Sequence, residues 1–198
     1  MKSLFDFSIS IIAFTFFLPL FMVISALIKL GSKGPIFFKQ VRVGKDGKEF
    51  KIFKFRTMIT DAETKGLQLT VGKDPRITSI GHILRKYKLD ELPQLINIIK
   101  GDMSFVGPRP EVPKYVSMYN EEQKKVLQVK PGITDVASLE YINENELLKD
   151  ALNPEKMYIE KIMPAKLELN YKYIQNQSLF LDIKIIFQTI FKIMGVKI

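Results

Sequence analysis

From Phe7 to Ile28 the chain reads FSISIIAFTFFLPLFMVISALI, 22 positions without a charge, held between Asp6 and Lys29. At about 1.5 Å per helical residue this run reaches roughly 33 Å, the depth of a bilayer's hydrocarbon core. A membrane-inserted helix is therefore predicted. A cleaved signal peptide fits worse, because the apolar run is too long and Lys29 and Lys33 follow it without a small-residue cleavage pattern. Pro19 stands near the middle, where it removes a backbone donor and crowds the preceding turn, so a kink is expected there. Two topologies follow from such a kink: a bent helix that spans, or one that enters a leaflet, turns and leaves on the same side. Lys2 on one flank and Lys29 and Lys33 on the other leave the positive-inside rule little asymmetry, which favours both ends on the cytoplasmic side.

Past residue 33 the pattern becomes that of a water-facing domain, so the expected division is 1–33, the membrane helix with its Pro19 break, and 34–198, a catalytic domain. Gly34-Pro35 opens IFFKQVRV, which meets a turn at Gly44-Lys45-Asp46-Gly47 and continues as EFKIFKFRT, the signature of a β-hairpin. In the second strand the period of two sets Phe53 and Phe55 on one face and Lys54 and Arg56 on the other. That basic pair reads equally as a solvated face or as a phosphate-facing one. A long loop through Gly66 and Gly72 follows.

Ser79 can cap a short helix carrying Ile80, Ile83, Leu84 and Tyr87, with Arg85 and Lys86 on its other faces. In KLDELPQLINIIKGD, Leu92, Leu95, Ile96 and Ile99 form an amphipathic stripe, Pro93 fits the first turn and Gly101 ends the helix. Asp90 and Glu91 thus fall at a helix N-terminus. There they can serve as cap and first-turn acids, and the helix dipole would keep them ionised, the state needed to ligate Mg²⁺ or to attack phosphorus. His82, near the apolar stripe, reads as a packing or hydrogen-bonding residue. Arg109 lies between Pro108 and Pro110 just after Gly107, and fixed φ angles on both sides cut the entropy it loses on gripping an anion. A further helix begins at Asn153-Pro154-Glu155, with an interruption expected at Pro164, and Ser178 caps an apolar last helix with Lys184, Gln188 and Lys192 along one face. That helix suits a buried core or a membrane interface equally.

Composition narrows the chemistry. With no cysteine and one histidine, a thiolate metal site, a cysteine nucleophile and a disulfide framework are excluded, and acid, base or nucleophilic work falls to carboxylates with Lys and Arg beside them. The net charge of +9 favours polyanionic partners.

The succession of an apolar segment with a central proline, FKFRTM, LRKYKLDELPQLINIIKGDMSFVGPRP and KPGIT resembles the bacterial sugar transferase family, the monotopic phosphoglycosyl transferases. The resemblance implies a mixed α/β (α+β), mostly helical fold: a re-entrant membrane helix, then a compact cytoplasmic domain with a β-hairpin and amphipathic interfacial helices. It implies transfer of a sugar 1-phosphate from a UDP-sugar to undecaprenyl phosphate with release of UMP, the first membrane step of surface glycan assembly. It further implies Mg²⁺ as cofactor and the inner face of the bacterial cytoplasmic membrane, with its phospholipid, as location. Carried onto this chain, the covalent nucleophile is Asp90, its partner Glu91, and both are metal ligands. Lys54, Arg85 and Arg109 match basic positions near substrate, joined by Arg56 from the strand pattern, and Asp182 matches an acidic position in the last helix. Two departures stand out: Leu18 precedes Pro19 where many members have serine, and Asp135-Val136-Ala137-Ser138 replaces a different segment after KPGIT. Nucleic acid is not expected as a partner, and a homo-oligomer is left open. The competing reading, a membrane-tethered module binding anionic lipid or nucleic acid, would give Asp90 and Glu91 no role.

Overall fold

The long apolar run forms one helix. In the computed structural model, which describes residues 2–62 and 74–196, α1 extends over Lys2–Gly31. Pro19 lies inside α1 and does not end it. Without an N–H, Pro19 leaves the carbonyl one turn back without its usual partner. This is the one helix among the described residues long and apolar enough to cross a membrane. Beyond it come the strands β1 (Phe37–Val43) and β2 (Glu49–Phe55), α2 (Ser79–Lys86), α3 (Gln94–Lys100) and β3 (Ser104–Val106). Then follow α4 (Pro113–Val116), α5 (Glu121–Lys124), β4 (Gly132–Thr134), α6 (Val136–Glu140), α7 (Glu144–Lys149), α8 (Pro154–Met157), α9 (Met163–Gln175) and α10 (Leu179–Ile193). The expected mixture of helices with a hairpin is present. The loop through Gly66 and Gly72 lies outside the described residues.

The chain forms two compact units, Met1–Gln40 with Ile52–Gly101, and Val41–Lys51 with Asp102–Ile198. In the first, Phe21, Ile24 and Ile28 recur along one stripe of α1 and are buried with Phe55 and Leu84. Phe21 lies 5.1 Å, ring to ring, from Phe55, and Phe37 stacks on Phe55 at 5.5 Å. Burying such a group of side chains yields about 1.5–3 kcal/mol apiece, far more than the helix propensities of this β-branched sequence. Other faces of α1 present Leu4, Phe16, Met22 and Leu30, each more than 60% exposed.

α1 ends at a built joint. Arg56, 4% exposed, donates from Nη1 to the Lys33 carbonyl at 2.7 Å and from Nη2 to the Ser32 carbonyl and hydroxyl, both at 2.8 Å. Gly34 makes room for it: φ is +126°, and a Cβ there would stand 1.9 Å from Arg56 Nη1. Gly34→Ala is expected to cost about 2 kcal/mol or more, lowering the melting temperature in detergent by about 4 °C or more. Gly47→Ala is the control, because Gly47 also has positive φ (+74°) but nothing within 4 Å of its would-be Cβ. Equal losses in the two variants would show the Arg56 joint to be unimportant.

The second unit is organised on a strand pair that the sequence reading does not assign. β3 and β4 pair in parallel, Ser104 beside Gly132 and Val106 beside Thr134. Three residues apiece carry no periodicity to read, and what fixes them is the close approach of two glycines. A Cβ on Gly132 would lie 2.2 Å from the Gly107 nitrogen, and one on Gly107 would lie 2.4 Å from the Lys130 carbonyl. Behind them Val106, Tyr173 and Ile185 form the buried centre.

Three local expectations are corrected. Thr78, not Ser79, caps α2, its hydroxyl accepting from Gly81 N at 3.1 Å. Pro164 does not interrupt its helix: a π-helical turn over Tyr158–Ile162 precedes it, which places the proline in the first turn of α9. His82 is exposed rather than packed. Ser178 does cap α10, accepting from Leu181 N at 3.2 Å, and Gly101 ends α3 with φ +85°.

Candidate active site

The acidic pair sits in a 3₁₀ turn, Leu89–Glu91, ahead of α3, whose first residue is preceded by Pro93. The turn is entered through Lys88 in the left-handed region (φ +55°). Asp90 is therefore not the cap of α3 expected from sequence. The reason is geometric, since Pro93 needs no capped N–H and itself begins the helix, leaving Asp90 three positions too early. Both carboxylates are buried, Asp90 at 7% exposure and Glu91 at 8%.

Cations reach them from two elements of the same unit. Lys54 on β2 places Nζ 2.7 Å from Glu91 Oε1. Arg85 near the end of α2 donates Nε to Thr57 Oγ1 at 2.9 Å, and its charge acts on Asp90. Thr57 in turn holds α2 close: its carbonyl accepts from Thr78 N at 2.9 Å and lies where a Cβ on Gly81 would come within 2.1 Å. On the other side Asn97 of α3, fully buried, accepts the Phe53 backbone N–H at 2.9 Å and so ties α3 to β2. Thr57 and Asn97 thus fix the geometry of the cluster, and no sequence pattern announces either of them.

Electrostatically the pair is poised rather than relaxed. Burial and the neighbouring Glu91 carboxylate push the Asp90 pKa above the ordinary aspartate value, with Lys54, Arg85 and Lys88 pulling it back. The helix-end effect expected from sequence does not reach Asp90 as a cap, because Asp90 lies ahead of α3 and not at its first residue. Burial also draws the Arg85 guanidinium below its usual value, opposed first by the Asp90 charge. Asp90 Oδ1 is buried without a hydrogen-bond partner among the described residues. Leaving a carboxylate oxygen so costs about 1–3 kcal/mol or more, a strain characteristic of a group kept for a ligand.

Mg²⁺ would have to bind through this donor set. Among the described residues no group of three or more His, Cys, Asp or Glu could hold a metal. A pair of hard carboxylates with one unsatisfied oxygen nevertheless fits Mg²⁺, which is commonly bound through one or two carboxylates plus the phosphates of its substrate.

The remaining expected residues fall elsewhere. Arg56, in the first unit, has both terminal nitrogens on the exit of α1, and its Nε is buried without a hydrogen-bond partner among the described residues. Its physical role is that of a joint, and the solvated-face reading is wrong for it. Asp182, in the second unit, is 2% exposed and accepts the Tyr173 hydroxyl at 2.5 Å, linking α9 to α10. Asp135 caps α6, accepting from Ser138 N at 2.9 Å, which gives the departure at residues 135–138 a structural explanation. Arg109, also in the second unit, is half-buried on a strap whose upstream end is pinned: Gly107 N donates to the Thr134 carbonyl at 3.1 Å and the Pro108 carbonyl accepts from Gly132 N at 3.1 Å. It borders a small cleft with Val43, Tyr119, Val126 and Pro131.

The bacterial sugar transferase family matches this chain over residues 1–196, and the buried Asp-Glu pair lies within that match. The chain belongs to the bacterial sugar transferase family. Like its relatives, this bacterial sugar transferase is a transferase by family. It is 40% identical over 196 residues to an uncharacterized sugar transferase, EpsL, of Bacillus subtilis, covering 98% of this chain and 87% of that one. It is 38% identical over 188 residues to the UDP-N-acetylgalactosamine-undecaprenyl-phosphate N-acetylgalactosaminephosphotransferase of Aeromonas hydrophila, covering 93% of this chain and 41% of that protein. It is also 38% identical over 199 residues to the UDP-glucose:undecaprenyl-phosphate glucose-1-phosphate transferase of Klebsiella pneumoniae, covering 96% of this chain and 39% of that protein. The chain thus spans about two fifths of the length of the last two.

Proposed function

We propose that this bacterial sugar transferase moves a sugar 1-phosphate from a UDP-sugar to undecaprenyl phosphate at the cytoplasmic face of the bacterial inner membrane. The observation that carries the reading is the buried Asp90 with an unpartnered oxygen, ringed by Lys54, Arg85 and Glu91, in a chain of this family. The named relatives add the substrate class.

In the first step the Asp90 carboxylate attacks the phosphorus that bears the sugar. An O–P bond forms, the bond from that phosphorus to the bridging diphosphate oxygen breaks, and the electron pair leaves with UMP. In the second step an oxygen of undecaprenyl phosphate attacks the same phosphorus, and the acyl–phosphate bond breaks to return Asp90 as a carboxylate. Lys54 and Arg85 favour the anionic nucleophile and offset the charge on the leaving phosphate. Mg²⁺, when bound by Asp90 and Glu91, supplies charge neutralisation on the diphosphate. Arg109 grips a substrate phosphate through its planar fork.

The test is a panel of UDP-sugars with purified protein, Mg²⁺ and undecaprenyl phosphate, reading UMP. One sugar should give lipid-dependent release; UMP from none would sink the proposal. For α1, we take the re-entrant topology, supported by the central Pro19 and the balanced flanking lysines. The chain has no cysteine, so Ser3→Cys gives a single label. It should resist a membrane-impermeant thiol reagent applied to the periplasmic face of spheroplasts and react after lysis; labelling before lysis would show that α1 spans.

A further inference from the structure

The strap that carries Arg109 is fastened downstream by side chains that the proposed chemistry does not use. Arg42 on β1 donates Nη1 to the Pro110 carbonyl at 3.0 Å and stands 3.6 Å from Glu111 Oε2. Next to it, Val43 N donates to the Glu111 carbonyl at 2.9 Å. The other oxygen of Glu111 accepts a short hydrogen bond from the Tyr158 hydroxyl. Tyr158 is 2% exposed, packs on the Tyr115 ring at 5.2 Å between centroids, and projects from the π-helical turn before α9. A π turn is a costly irregularity that recurs where a side chain must be aimed. All of these residues lie in the second unit.

We propose that Glu111, clamped between Arg42 and Tyr158, is a positioning residue that sets the direction of Arg109. The argument is one of degrees of freedom. Pro108 and Pro110 fix φ on either side of Arg109, and Gly107 and Pro108 are both pinned to β4. What remains adjustable is the rotation of the strap about its downstream end, and the carboxylate of Glu111 with the Pro110 carbonyl closes that end. A fork that must meet phosphate oxygens within a few tenths of an ångström needs such support. The neighbouring Glu155, which accepts from Lys114 Nζ and from the Tyr115 hydroxyl at 3.3 Å, braces Tyr115 beneath the Tyr158 ring.

The inference rests on the reading that Arg109 binds a substrate phosphate, and UDP is the probe because it needs no knowledge of the sugar. Affinity of the full-length protein for UDP is measured by calorimetry in detergent, alongside melting temperature. Glu111→Ala should weaken UDP binding about tenfold. Glu111→Gln should recover part of that loss, since its amide oxygen still accepts from Tyr158, and Tyr158→Phe should weaken binding about threefold to fivefold. The deciding measurement is the double variant: Glu111→Gln with Arg109→Lys should bind no more weakly than Arg109→Lys alone, because a mispositioned fork and an absent fork are the same loss. Additive losses, or Glu111→Gln and Tyr158→Phe variants that bind UDP like the parent while Arg109→Lys is impaired, would overturn the positioning role and leave the phosphate role standing. Arg109→Lys binding UDP like the parent would overturn both.

Discussion

Asp90→Asn is expected to lower turnover at least a thousandfold, about 4 kcal/mol in the barrier, while leaving the protein as stable as the parent or more so. The exchange is nearly isosteric and removes one charge from a site that is 7% exposed, where burial already pushes the Asp90 pKa up. Because Asp90 caps no helix and Oδ1 has no partner among the described residues, a neutral amide forfeits no hydrogen bond there and avoids the cost of burying a carboxylate. Loss of activity with an unchanged or higher melting temperature is the pattern of a residue kept for chemistry at the expense of stability. Incubated with its sugar donor and Mg²⁺ but no lipid, the parent should gain the mass of one phosphosugar on the peptide containing Asp90, and kinetics should be ping-pong. Full activity of the variant, or sequential kinetics with no adduct, would mean that the lipid phosphate attacks directly.

The second large effect is expected at Arg109. Arg109→Lys keeps the charge and loses the two-pronged donor, so activity should fall more than tenfold, about 1.4 kcal/mol or more, with the fold intact. The fold should survive because the strap is held by the backbone bonds of Gly107, Pro108 and Glu111. Wild-type kinetics in this variant would make Arg109 a structural residue.

Much of the fold was legible where its signals are local. The uncharged run of α1, the Gly44–Gly47 turn, Pro93 at the start of α3, Gly101 at its end and Ser178 before α10 each act within about four residues, the range over which backbone sterics and capping operate. Even there, neighbours shifted details: Thr78 outcompetes Ser79 as a cap because its backbone is also anchored to the Thr57 carbonyl. In the site, the residue types Asp90, Glu91, Lys54 and Arg85 could be named from sequence, and the structure brings those four together in one unit.

The sequence by itself determined that an apolar helix would precede a basic, cysteine-free domain whose chemistry must rest on carboxylates, because charge, hydropathy and residue inventory are properties of the chain alone. Only the tertiary structure decided which polar groups face a ligand and which face the protein. Arg56 and Lys54 are two residues apart, one just past the end of β2 and the other within it, yet one is bound to the exit of α1 and the other to Glu91. Asp90 and Asp182 are both buried acids, yet one keeps an oxygen unpartnered and the other accepts a tyrosine hydroxyl. The difference lies in partners distant in sequence: desolvation and hydrogen bonding depend on what packs against a side chain in three dimensions, and no local pattern encodes that.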